Sequence, residues 1–98
     1  MASYEYELED ELDLEEPKKY VVLLLNDDFS TMEFVIEILT KVFRKSFEES
    51  EAIMLAVHNN GKAICGVYTK EIADTKVAQV KTMDRKENFP LKAIAKEE

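Results

Sequence analysis

The chain has 98 residues, with 13 basic and 21 acidic side chains and a net charge of −8. That length holds one domain, and 46% apolar residues are enough for a core. A single Cys excludes an intramolecular disulfide framework, and the acidic balance argues against nonspecific nucleic-acid binding, which needs clustered Lys and Arg.

Residues 1–17 hold Glu5, Glu7, Glu9, Asp10, Glu11, Asp13, Glu15 and Glu16 and no base, so this stretch carries the whole net charge. A block of like charges repels itself and buries little. The reading is a disordered acidic N-terminal extension over 1–17, followed by a core domain over 18–98. Tyr4, Tyr6, Leu8, Leu12 and Leu14 interleave with the acids. Both a solubilising tail and a weak docking segment stay open. There is no basic n-region or apolar h-region, which argues against a secretory signal. The longest apolar run, Tyr20 to Leu25, is too short to span a bilayer. A cytoplasmic protein is therefore expected.

Lys18 to Leu25 is Val-rich and predicts a strand, buried on both faces or central in its sheet. Asn26-Asp27-Asp28 ends it as a turn-prone cluster. Ser30-Thr31-Met32-Glu33 reads as a capping box with Ser30 as the cap. The helix after it has apolar residues at 32, 35, 36, 39, 42 and 43, and should end near Arg44-Lys45. Ser46-Phe47-Glu48-Glu49 is a second capping box. Its helix runs to about Asn59, with Gly61 supplying the left-handed stop. Lys62 to Tyr68 predicts a strand. Thr69 caps a third helix with Ile72, Ala73, Val77, Val80 and Met83 on its apolar face, and Leu91 to Lys96 predicts a short edge strand. The expected fold is α+β: order β-α-α-β-α-β, a small three-stranded antiparallel sheet with three helices in a second layer.

Two glycines, far from any phosphate-binding motif, exclude a phosphate loop, and no residues have metal-ligand spacing. Cys65 lies in an apolar strand, where a thiol is inert. The strand–turn–helix junction is the more promising place. Asn26 and Asp27 close the strand, Met32 opens the first helix, and Met54 and His58 share a face of the second. Convergence of these residues would put a polar rim on an apolar pocket. The alternative is a surface histidine with methionines filling the core.

The segment Asn26-Asp27-Asp28-Phe29-Ser30-Thr31-Met32-Glu33-Phe34-Val35 resembles the signature of the ClpS family, adaptors of the bacterial N-degron pathway. Met54-Leu55-Ala56-Val57-His58, Gly61 to Tyr68, Glu71 to Val77 and Pro90-Leu91 match the same family in order. Many members have Tyr, Thr and Pro where this chain has Phe29, Ser30 and Thr31. The resemblance implies no enzyme and no cofactor. It implies a monomeric adaptor that binds the first residue of N-degron peptides and proteins (Phe, Tyr, Trp or Leu) and delivers them to a hexameric AAA+ Clp unfoldase of the ClpA or ClpC type.

By the same resemblance, Asn26, Asp27 and His58 hold the substrate's α-amino group. Leu24, Ser30, Met32, Val35, Met54, Val57 and Leu91 form the side-chain pocket, with Met32 as gatekeeper. Asp28 sits at the pocket and holds the turn. Glu71 and Lys76 contact the unfoldase, which also engages the N-terminal extension; 17 residues reach up to about 60 Å. If His58 accepts a hydrogen bond from the ammonium, binding should weaken where histidine takes up a proton. Two other readings compete. One is a recruitment domain like the C-terminal domain of the ribosomal stalk protein, in which the Asn26-Asp27-His58 set has no purpose. The other is a small enzyme using Asp27 and His58 as acid and base, for which the sequence supplies no nucleophile.

Overall fold

A computed structural model describes residues 17–98. The expected acidic extension lies almost wholly outside the described residues. The elements follow the expected order: β1 (Lys19–Leu25), α1 (Met32–Lys41), α2 (Phe47–Asn60), β2 (Lys62–Thr69), α3 (Lys70–Glu87) and β3 (Lys92–Glu97). The sheet is antiparallel with strand order β2-β1-β3, so β1 is central.

β1 is buried on one face only. Val22 and Leu24 are fully buried, whereas Lys19, Val21, Leu23 and Leu25 point the other way. The reason is the two-layer architecture: helices cover a single side, and strand side chains alternate across the sheet. The core joins Val22 and Leu24 to Phe34, Val35, Ile38 and Leu39 of α1, Met54 and Val57 of α2, Cys65 of β2, and Ala73 and Val80 of α3. The β1–β2 register shifts between Val22 and Leu23, where Gly66 and Ile64 are the successive partners. Cys65 is the extra residue of this bulge, and it stays on the buried side.

Local chemistry explains most helix ends. Ser46 caps α2 with a full capping box: its hydroxyl accepts from Glu49 N, and the Glu49 carboxylate accepts from Ser46 N. Gly61, at φ 87°, ends the helix in the left-handed region that favours glycine. Thr69 is the N-cap of α3 by backbone conformation, without a side-chain cap bond.

Four local expectations need correction. The cap of α1 is Thr31, not Ser30; the Thr31 hydroxyl accepts from Phe34 N at 3.1 Å. The cause lies upstream: Asp27 Oδ1 accepts from Phe29 N at 2.8 Å and from Ser30 N at 2.6 Å, so Ser30 belongs to a side-chain-closed turn. The same bonds assign the turn to Asp27 rather than Asp28. Helix α1 also stops at Lys41, because Arg44 takes φ 57° and Lys45 N closes back on the Leu39 carbonyl at 3.1 Å. On α3, Ile72 faces solvent at 48% exposure, while Ala73 and Val80 carry the buried stripe.

Candidate functional site

A cavity of ≈ 250 Å³ opens between the end of β1, the start of α1 and the last turns of α2. Its walls include Asn26, Asp27, Asp28 and Ser30 from the turn, Met32 and Val35 from α1, and Met54, Val57 and His58 from α2. The structure thus brings together nine of the residues singled out above. Leu24 and Leu91 are not in the lining; both are buried in the adjoining core.

The order of side chains follows from the elements. Met54 and Val57 sit three apart on α2 and His58 one further, so the first two reach the interior while His58 stays exposed at the rim. Val35 lies one turn past the start of α1 and is buried, whereas Met32, in its first turn, is 57% exposed at the cavity mouth. The result is an apolar interior with a polar rim, the usual form of a small binding site. The two chain segments that make the rim are tied together: Asn26 N donates to the Gly61 carbonyl at 2.9 Å.

Asp27 is the key group. Its Oδ1 is used twice by the turn, but its Oδ2 is buried and has no hydrogen-bond partner among the described residues. The Ser30 hydroxyl is in the same condition. A buried acceptor left unpaired costs about 1–3 kcal/mol, more when charged. An unpaired buried acceptor on a residue that lines a cavity calls for an explanation.

Asp84 escaped the sequence analysis. It is buried near the end of α3, with Oδ1 lacking a partner among the described residues. Burial, and secondarily the charge of Asp27, push its carboxyl up to about 6. The signal in the sequence is an Asp at the helical spacing of the Ala73–Val77–Val80 stripe, a position otherwise apolar. A carboxyl that holds its proton more tightly when folded makes the fold less stable as pH rises from about 4 through about 6. Asp84→Asn is therefore expected to stabilise the protein at pH 8 by about 1–2 kcal/mol, allowing for solvent screening, and by much less at pH 4. Urea denaturation at the two pH values reads this directly. An equal gain at both would show that Asp84 does not titrate in this way.

The two residues expected at a partner surface differ from one another. Glu71 is exposed at the start of α3. Lys76 is half-buried; its ammonium donates to the Val42 carbonyl at 2.7 Å and lies 5.8 Å from the centre of the Tyr68 ring. Among the described residues, no helix is long and apolar enough to cross a membrane.

Comparison with known proteins decides the family. The family model for the ATP-dependent Clp protease adaptor protein ClpS matches residues 15–94. The chain belongs to the ClpS family. Similar ClpS adaptors include that of Wolinella succinogenes, 46% identical over 98% of this chain and 94% of the relative. That of Neisseria meningitidis is 51% identical over 89% of this chain and 84% of the relative. Among solved structures, Agrobacterium tumefaciens ClpS2 bound to L-phenylalaninamide superposes with a TM-score of 0.82 at 36% identity, covering 85% of this chain and all of that one. The ClpS family is one of protease adaptors, and the β-α-α-β-α-β fold described above carries that role here.

Proposed function

We propose that this ClpS adaptor binds the first residue of N-degron substrates in the 250 Å³ cavity, with the α-ammonium at the rim and the side chain in the apolar interior. The observation that carries the proposal is Asp27, a residue of the cavity lining whose buried Oδ2 has no hydrogen-bond partner among the described residues. An α-ammonium supplies the missing donor as a charge-assisted bond; the Asn26 side-chain oxygen and the His58 ring complete the acceptors. An internal residue offers one uncharged amide hydrogen and leaves the carboxylate poorly paired. The ClpS2 neighbour is bound to L-phenylalaninamide, a molecule with a free α-amino group and an aromatic side chain.

Size supports a single side chain as the guest, because the cavity is below the roughly 300–1,000 Å³ of drug-sized sites. Burying an aromatic of about 150–250 Å² yields on the order of 4–6 kcal/mol gross, part of which lost mobility offsets. Affinity near micromolar suits an adaptor that must release its cargo. Delivery goes to a hexameric AAA+ Clp unfoldase of the ClpA or ClpC type, with exposed Glu71 at the contact and Lys76 shaping the adjoining surface.

The test is a fluorescence-anisotropy titration with two labelled peptides, one with free N-terminal Phe and one N-acetylated but otherwise identical. Binding of the first and loss of the second is the expected result. Equal affinity, or none for either, overturns the reading. Met32 stands at the mouth, and as a gatekeeper there it would bar a β-branched side chain. Met32→Ala is expected to admit peptides beginning with Ile or Val; continued rejection of both in the same titration would count against a gate.

A further inference from the structure

The face of the sheet away from the helices is unusual for its class. Open antiparallel sheets commonly turn polar residues to water on the uncovered side. Here that side has an apolar centre: Val21 and Leu23 from β1, Ile64 and Val67 from β2, and Ile94 from β3. Ile64 and Val67 are 57% and 44% exposed. The register places these side chains on one face, Val21 opposite Val67 and Leu23 between Ile64 and Ile94. Around them stand Lys19, Lys62, Lys92 and Lys96, all exposed, and none ion-paired among the described residues. A contiguous apolar patch with a charged rim marks an interaction site.

We propose that residues 1–16 of this same chain dock across this face. Three observations select that occupant. The described chain begins at Pro17, immediately before β1, and Lys19 on β1 is already part of the rim. A segment of 16 residues reaches up to about 55 Å, enough to turn back over strands about 20–25 Å long, and its tether holds it at a high effective concentration. The charged side chains of the segment are all acids and the rim of the face is mainly basic: eight carboxylates against four ammoniums, with Glu97 the acid that stands beside them. Its pattern also fits. Tyr4, Tyr6 and Leu8 alternate with Glu5, Glu7 and Glu9, and Leu12 and Leu14 with Glu11, Asp13 and Glu15. An extended chain with that alternation has one apolar side and one acidic side. The apolar side meets the Val/Leu/Ile centre, and the carboxylates meet lysine stems that reach past it. A second copy of the sheet face fits badly, because it would set lysines against lysines.

The docked segment lies on the side of the sheet away from the helix-lined cavity. The test uses the full chain carrying Ser3→Cys and a nitroxide spin label, with methyl NMR as readout. Cys65 does not compete for the label, being 1% exposed with its thiol pushed up to about 12 by burial.

Expected is selective loss of signal from the methyls of Val21, Leu23, Ile64, Val67 and Ile94, while those of Ile38, Leu39 and Val80 in the core keep theirs. The loss should be relieved between about 0.01 M and about 1 M salt, as the screening length falls from about 30 Å to about 3 Å. Lys62→Glu together with Lys96→Glu should relieve it at low salt. Uniform loss, or loss centred on another surface, overturns the proposal. So does transfer of the effect from a labelled chain to an unlabelled partner chain, which would make the occupant a second copy.

Discussion

Asp27→Asn is expected to weaken binding of a free-Phe peptide by about 10- to 100-fold, the worth of a hydrogen bond to a charged group. The substitution separates two jobs of one side chain. An amide oxygen can still accept from Phe29 N and Ser30 N, so the turn survives. What is lost is the charge of the carboxylate whose Oδ2 is unpartnered, the charge that the proposed binding mode offers to an ammonium. The same change removes the charge that helps to raise the Asp84 carboxyl, so stability at neutral pH should hold or rise. Anisotropy and urea denaturation on one preparation check both. Weaker binding with equal or greater stability is the expected pair. Weaker binding with a matching loss of stability would mean that Asp27 acts through the turn alone.

Leu24→Ala is expected to cost about 3 kcal/mol of stability, within the range for emptying a tightly packed site. Leu24 is 0% exposed at the centre of the core, on the middle strand, and the cavity lining does not include it. Denaturant midpoints give the stability, and peptide titration of the folded protein gives the affinity. A large loss of stability with affinity changed by no more than a few-fold places Leu24 behind the site. Affinity lost at nearly unchanged stability would put it in the wall.

What the sequence makes legible here is what short-range chemistry decides. The Ser46 box and the Gly61 stop read correctly because every partner lies within four residues. Element order and sheet class follow from periodicity in the same way. The Ser30 cap fails for a related reason: two caps were available side by side, and the turn closed by Asp27 takes the Ser30 amide first. That competition is invisible in a motif. Asn26, Asp27, Met32, Met54 and His58 meet because two helices pack together, and the family resemblance, more than their spacing, names them as a set. Asp84 stayed unseen because its burial depends on α3 lying near a turn far back in the chain. The inward bond of Lys76 to Val42, 34 residues away, is hidden for the same reason.

The bond from Asn26 N to the Gly61 carbonyl has a consequence for how the pocket opens. It ties the turn that carries Asp27 to the last turn of α2, which carries His58. Fraying at that helix end cannot release one half of the rim without loosening the other. The Asn26 amide is thus a built-in gauge. Its exchange with solvent deuterium should track the intactness of the whole rim, and a bound guest spanning both halves should slow it more than it slows the amides of β1.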